Sequence, residues 1–212
     1  MFAPVPPPTF GPARPTLIVG EPPPGTTPHR TRVARRRHLL AQDAAEIAAA
    51  LPGPGEATHL LMSGRYDLMQ VIELAAGGGG PVAHLRLATL SLNRRVLADL
   101  LRLADAGAVA RVSLVVSHYF ASADKPLYHR LRAEFAARGF PVAAPRCHAK
   151  VVAVQFAAGD SLVMEGSANL RSNRNFEQLA VINDPRLHDW HARWIDLVIN
   201  RHGDHDPPHP GD

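Results

Sequence analysis

The order of elements along the 212 residues predicts an α/β protein, an α/β/α sandwich built around a mixed β-sheet. Two observations carry this prediction. Between residues 43 and 138, apolar runs typical of strands alternate with segments of helical spacing, which favours parallel strands joined by helices. After residue 139, short strand-like runs follow one another closely, which favours antiparallel pairing in that part of the sheet.

Each element has its own signal. Leucines at near-helical spacing mark the segment 93–106, and Pro185 suits the first turn of a last helix. The glycines at 77–80 are expected to end the helix before them, because glycine is costly inside a helix. Helices are predicted at 43–51, 66–76, 93–106, 124–138 and from Pro185 to about Asn200. Strands are predicted at 57–63, 82–91, 110–118, 140–144, 149–156, 161–165 and 178–183.

The two ends of the chain differ from this central part in composition. Residues 1–30 contain ten of the 20 prolines, so we expect residues 1–38 to form a disordered Pro/Arg-rich arm. Residues 201–212 hold histidines and aspartates among Pro and Gly, a composition without rigid geometry, and they are expected to form a solvated tail. One folded domain is therefore expected over residues 39–200.

Charge is divided unevenly between these parts. Residues 1–38 hold six arginines against Glu21, a net charge of +5, whereas residues 39–200 hold 16 basic and 15 acidic residues, a net charge of +1. A basic arm suits a polyanionic partner, although a solvated linker is an equally good interpretation. The single cysteine excludes a scaffold of internal disulfides. With no apolar run long enough to span a bilayer and no signal-peptide pattern, we expect a cytoplasmic protein without integral membrane association.

The strongest chemical signal is the pair His148 and Lys150, in the sequence Cys-His-Ala-Lys that opens a valine-rich strand. Side chains alternate along a strand, so both are expected on one side. An imidazole and an ammonium side by side can attack and bind one phosphoryl group. Lysine is otherwise rare here, since Lys125 is the only other one.

A second group of polar residues follows at the next strand. Ser167 and Asn169 are two residues apart and offer hydroxyl and amide donors, and Gly166 permits close approach of the backbone. Glu177 then supplies a carboxylate that could orient His148 through its other ring nitrogen.

These residues give the chain a resemblance to the phospholipase D superfamily, whose pattern is His-x-Lys, a spacer, Gly-Ser-x-Asn and a later Glu before a strand. Residues 148–183 contain His-Ala-Lys, Gly-Ser-Ala-Asn and Asn-Phe-Glu-Gln in that order, and the likeness extends roughly over residues 57–200. It implies a phospholipase D-like fold and a metal-independent reaction, without a cofactor, through a covalent phosphohistidine on His148. Lys150, Ser167 and Asn169 would bind the phosphoryl oxygens, and Glu177 would hold the imidazole.

The sequence departs from the family pattern in two respects. The residue five positions after the lysine is usually Asp and here is Gln155, and the interval to Gly-Ser is longer; Asp160 within it is interpreted as a turn residue. There is also only one His-x-Lys motif, because no other histidine has Lys two residues later. Family members with one motif complete the site as homodimers, which implies a twofold interface with two His148 side chains facing each other.

The leading hypothesis is therefore a nuclease that cleaves nucleic-acid phosphodiesters. Arg171 and Arg174 follow the motif and would contact the phosphate backbone, or would be solvated charges. One alternative is a hydrolase or transferase acting on phospholipid headgroups. Another is a catalytically silent nucleic-acid-binding module of the same fold, which Gln155 and the longer hairpin favour.

Overall fold

The computed structural model of the protein describes residues 35–41, 44–62, 67–171 and 175–203. In chain order its elements are β1 (Arg35–Ala41), α1 (Ala44–Ala49), β2 (Glu56–Met62), α2 (Leu68–Gly79), β3 (Val82–Thr89), α3 (Arg94–Asp105), β4 (Val112–Val116), α4 (His118–Ala123), α5 (Lys125–Ala136), β5 (Val142–Ala143), β6 (Val151–Phe156), β7 (Ser161–Gly166), β8 (Glu177–Ile182) and α6 (Pro185–His202).

The eight strands form one mixed sheet in the order β1-β2-β8-β7-β6-β3-β4-β5. The pairs β1/β2, β3/β4 and β4/β5 are parallel, and the pairs that link β2, β8, β7, β6 and β3 are antiparallel. The carboxyl ends of β2, β3, β4 and β7 and the amino ends of β6 and β8 consequently lie at the same edge. We call this the motif edge.

Helices cover both faces of the sheet. On one face, α2, α3 and α5 bury residues such as Ile72, Leu97 and Phe135 against the inward side chains of the central strands. On the other face, α6 packs Ile195 and Ile199 against Val115 and Val151. The predicted α/β/α sandwich with a mixed sheet is confirmed. Among the described residues, no helix combines the length and apolar character needed to cross a membrane.

Two elements were not predicted from the sequence. The strand β1 begins at Arg35, so residues 35–38 belong to the sheet and the arm ends earlier than expected; residues 1–34 lie outside the described residues. The short helix α4 follows β4, with the Ser117 hydroxyl accepting a hydrogen bond from the Tyr119 amide as its N-cap. His118 therefore starts a helix instead of ending a strand.

The glycines at 77–80 were expected to end the helix before them, but α2 continues through Gly77, Gly78 and Gly79. The helix runs to Gly79, and the chain leaves it at Gly80, where φ is 85°. A Cβ built on Gly79 would lie 2.4 Å from Cε1 of Phe156, so the aromatic ring occupies the space that any side chain would need. Packing against Phe156 explains why glycine stands in the last turn. At the other end of the chain, α6 extends to His202, two residues into the predicted tail, and residues 204–212 lie outside the described residues.

The face under α6 contains a group of polar and charged side chains at β3, β4 and α6. Arg86 on β3 forms a two-pronged ion pair with Asp196 on α6, with Nε 3.0 Å from Oδ1 and Nη2 3.0 Å from Oδ2. Beside it, a ring nitrogen of His84 lies 2.8 Å from the Ser113 hydroxyl. Burial and then the positive charge of Arg86 and Arg111 lower the pKa of His84 from 6.5 to about 4, although Asp196 opposes the shift.

This shift predicts that stability falls with acidity. Between pH 6.5 and 4 the unfolded chain binds a proton at His84 that the folded chain excludes, so the free energy of unfolding should fall by about 2–3 kcal/mol over that window. The substitution His84→Gln should flatten this dependence in urea unfolding followed by tryptophan fluorescence. A matched control, His129→Gln on the exposed side of α5, should retain the wild-type profile. A His84→Gln profile as steep as that of wild type would contradict the assignment.

Candidate active site

The candidate site lies at the motif edge, where three neighbouring strands meet. Because β6, β7 and β8 are antiparallel, the start of β6 lies beside the end of β7 and the start of β8. The register pairs Val151 with Glu165 and Gly166 with Leu179. The three parts of the predicted motif, which are up to 29 residues apart in sequence, are therefore brought together.

His148 and Lys150 precede the strand and are not part of it. β6 begins at Val151, although the Lys150 carbonyl already accepts a hydrogen bond from the Gly166 amide at 3.4 Å. The sequence analysis expected strand alternation to place the two side chains on one side. Because neither residue is part of β6, alternation does not align them. They are instead in direct contact: Lys150 Nζ lies 3.0 Å from His148 Nδ1 and donates to the His148 carbonyl at 2.9 Å. The His148 side chain is exposed, so an external group can reach it.

Ser167 forms hydrogen bonds with β8 through both its side chain and its backbone. Its hydroxyl donates a hydrogen bond to Glu177 Oε2 and accepts one from the Gln178 amide at 3.1 Å, and its own amide donates to the Gln178 carbonyl at 3.0 Å. The structure thus connects the Glu177 carboxylate with Ser167. The expected contact between the Glu177 carboxylate and the imidazole of His148 stays a prediction.

The charges of the site are coupled across the strands. Burial lowers the pKa of Lys150, and the neighbouring Cys147 and Glu177 oppose that shift. Burial also raises the pKa of the Cys147 thiol, against the opposing influence of the Ala149 backbone and Lys150. A thiol of raised pKa carries little thiolate at neutral pH, so Cys147 is unsuited as a nucleophile and His148 remains the candidate.

Asn169 is fixed by the end of β3. Its Oδ1 accepts a hydrogen bond from the Leu90 amide at 3.3 Å and lies 3.5 Å from the Thr89 hydroxyl. The next residue, Leu170, donates its amide to Thr89 Oγ1 at 3.2 Å. With the carbonyl oxygen occupied in this way, the NH₂ group of Asn169 is the part of the side chain left to bind a ligand. Thr89 was not predicted from the sequence, because one threonine at the end of an apolar strand carries no signal.

The remaining predicted residues have different placements. Arg171 is described and exposed, and Arg174 lies outside the described residues. Gln155 is at the opposite end of β6 from Lys150, where its amide group donates to the carbonyls of Gly159 and Asp160 at 3.3 and 3.5 Å. The departure from the family pattern at Gln155 therefore concerns the hairpin turn and not the motif edge. In the part of the chain that the structure describes, no three His, Cys, Asp or Glu side chains group closely enough to hold a metal.

Comparison with known proteins identifies related folds. No family model matches the sequence, and no curated protein matches it. Polyphosphate kinase from Porphyromonas gingivalis matches 74% of this chain and 27% of its own with a TM-score of 0.51 at 16% identity. Nuc from Salmonella typhimurium, a phospholipase D family member, matches 62% of this chain and 88% of its own with a TM-score of 0.48 at 18% identity. NucT from Helicobacter pylori matches 68% of this chain and 97% of its own with a TM-score of 0.47 at 14% identity.

These likenesses concern architecture. The mixed eight-stranded sheet between helical layers is the α/β sandwich that the sequence predicts, and the matching part of polyphosphate kinase shares this architecture. At 16% identity the likeness to polyphosphate kinase concerns the fold alone, so the reaction has to be argued from the residues of this chain.

The close pairing at Gly166 makes the site sensitive to one methyl group. A Cβ built on Gly166 would lie 2.1 Å from the Gln178 carbonyl oxygen, which belongs to the backbone and cannot turn away. Gly166→Ala should therefore separate β7 from β8 beside Ser167 and lower the free energy of unfolding by about 1–3 kcal/mol in urea titrations. Gly77→Ala on the exposed side of α2, where a Cβ meets nothing within 4 Å, should leave it unchanged or raise it by about 0.5–1 kcal/mol. Equal stabilities for the two variants would refute the close contact.

Proposed function

We propose that this protein is a metal-independent phosphodiesterase that cleaves nucleic-acid phosphodiesters through a covalent phosphohistidine on His148. The observation that carries the proposal is the convergence of an exposed imidazole, an ammonium, a hydroxyl and an amide at one edge of the sheet. Lys150 Nζ is 3.0 Å from His148 Nδ1, and Ser167 and Asn169 come from the strand end beside them. Such a set supplies one nucleophile and several donors for phosphoryl oxygens.

The reaction has two steps. In the first, Nε2 of His148 attacks phosphorus, the N–P bond forms and the P–O bond to the leaving oxygen breaks. In the second, water attacks phosphorus and the N–P bond breaks. Attack through Nε2 requires the ring proton on Nδ1. Lys150 is therefore proposed to move from Nδ1 to the phosphoryl oxygens when substrate binds, and Glu177 to accept the Nδ1 proton in a hydrogen bond.

A second copy of the chain completes this scheme. The leaving oxygen needs a proton, and water must later lose one, so a second acid–base group has to face His148. The sequence has one His-x-Lys motif, and we propose that His148 of a second copy supplies that group across a twofold axis.

One surface of the sheet suits such a partner. The helix α6 packs mainly over β3 to β7, while near the motif edge Leu40 on β1 and Leu61 on β2 remain 52% and 45% exposed. They line a groove of about 740 Å³ that continues to Gly166 and Gln178, the residues next to Ser167. The groove is also lined by His38 and His59, so the face is partly apolar. Exposed leucines continuous with an incomplete site are the expected contact for a second copy.

Nucleic acid is the proposed substrate class because the positive charge of the chain is concentrated in residues 1–38, which include three exposed arginines at the start of β1, Arg35, Arg36 and Arg37. Residues 1–38 carry a net charge of +5, and Arg171 is exposed just beyond the motif. Arginines suit the phosphate backbone because they bind it by charge and by paired hydrogen bonds, independently of base sequence.

The reaction is tested with plasmid DNA, single-stranded DNA, RNA and phosphatidylcholine vesicles, all in EDTA. We expect cleavage of nucleic acid that EDTA does not affect and that falls at least about 10³-fold in His148→Ala, because the nucleophile is removed. His129→Ala, an exposed histidine on α5, serves as the matched control and should keep full activity. Loss of cleavage in EDTA would refute the mechanism, cleavage of vesicles alone would favour a phospholipid enzyme, and binding without cleavage would favour a silent module.

The dimer is tested by placing a charge on the exposed sheet face. Leu61→Asp should shift the protein from dimer to monomer in sedimentation velocity and reduce activity in proportion to the dimer lost, because a carboxylate would be buried in the apolar contact. Ala98→Asp on the exposed side of α3, on the opposite face of the sheet, is the control and should remain dimeric and active. A wild-type protein that is monomeric and fully active would exclude the paired site.

A further inference from the structure

We infer that Thr89 is a positioning residue that fixes the orientation of Asn169, and through it the stabilisation of the transition state. The inference rests on the proposed function, because it concerns the same reaction. Thr89 is the last residue of β3 and is 1% exposed, so it cannot touch a substrate. Its influence must pass through the residues that its hydroxyl contacts.

The hydroxyl of Thr89 takes part in hydrogen bonds both as a donor and as an acceptor. It donates its one proton to the Ser91 carbonyl at 3.0 Å and accepts a hydrogen bond from the Leu170 amide at 3.2 Å. The first bond shapes the chain that leaves β3, and the second holds the chain that leaves β7. One buried hydroxyl thus joins two segments whose positions in sequence differ by about 80 residues.

Asn169 lies beside the segments that the Thr89 hydroxyl joins, the chain after β3 and the chain after β7. Because a backbone N–H can only donate, the atom of Asn169 that faces the Leu90 amide at 3.3 Å must be its carbonyl oxygen. The NH₂ group is then the part of the side chain that can donate to a phosphoryl oxygen. Leu90 directly follows Thr89, and Leu170 directly follows Asn169. The hydrogen bond between Thr89 and Leu170 therefore sets the distance between the Leu90 amide and Asn169 Oδ1.

A second buried threonine offers a matched control. Thr58 on β2 is 2% exposed, and its hydroxyl donates to the Ala50 carbonyl at 2.6 Å. It lies in the half of β2 away from the motif edge and contacts none of the proposed site residues in the described structure. Replacing either threonine by valine removes one buried hydroxyl and keeps the shape of the side chain, so any difference in catalysis reflects position.

The experiment measures hydrolysis of bis(p-nitrophenyl) phosphate in EDTA by full-length wild type, Thr89→Val, Thr89→Ser and Thr58→Val, with melting temperatures recorded for each. We expect Thr89→Val to lower kcat roughly 10- to 100-fold with little change in KM, since a donor displaced by a fraction of an ångström loses most of its effect in the transition state. Thr89→Ser should restore most of the activity because it keeps the hydroxyl. Thr58→Val should keep the wild-type kcat, even where its melting temperature falls as far as that of Thr89→Val.

A double-mutant cycle separates positioning from general stability. In an Asn169→Ala background, Thr89→Val should have no further effect on kcat, because the group it positions is absent. An undiminished effect in that background, failure of Thr89→Ser to restore activity, or wild-type kcat in Thr89→Val would each overturn the inference.

Hydrogen exchange at the Leu170 amide gives a readout that is independent of activity. Exchange should accelerate in Thr89→Val and stay at the wild-type rate in Thr58→Val. A wild-type protein that cleaves no diester would defeat the proposed function, and the link between Thr89 and the Asn169 segment would then be decided by this exchange alone. Unchanged exchange at Leu170 in Thr89→Val would overturn it.

Discussion

The candidate site depends on the antiparallel pairing of β6, β7 and β8. In a purely parallel sheet the start of one strand and the end of its neighbour lie at opposite edges. Here the reversal of direction brings the start of β6 beside the end of β7 and the start of β8. The segments that carry His148, Ser167 and Glu177 lie at one edge of the sheet for this reason. The bond from the Gly166 amide to the Lys150 carbonyl, at 3.4 Å, marks where this pairing begins.

The two faces of the sheet have different tasks in this arrangement. One face is closed by α2, α3 and α5 over a large apolar core, which fixes the register of the strands. The other is covered by α6, whose contacts include the Arg86–Asp196 ion pair and a hydrogen bond from a His191 ring nitrogen to Glu165 at 2.6 Å. Glu165 directly precedes Gly166, so the helix also supports the strand end that carries Ser167. Stability and site geometry are thus linked through β7.

Residue types and their order predicted much of this molecule, and tertiary contacts decided the rest. His148, Lys150 and Ser167 were identified from sequence because few other functions need these groups at these spacings, and the structure brings their segments together. The strand β1 was missed because Arg35–Ala41 is polar at its start, and it forms by pairing in register with β2. The glycine in the last turn of α2, Gly79, packs against Phe156, 77 residues further along the chain. Neither partner is visible in a local window of sequence.

The hairpin between β6 and β7 has a consequence for how such chains are found. Its turn, with Gly159 and Asp160, lies at the edge opposite the motif, where Gln155 binds the turn carbonyls. Residues inserted there lengthen both strands outward and leave Lys150 opposite Gly166. The number of residues between Lys150 and Gly166 can therefore change, provided that each insertion keeps the pairing of β6 with β7. Search patterns that require a fixed interval would pass over chains of this kind, whereas a pattern that fixes only the two strand ends would retain them.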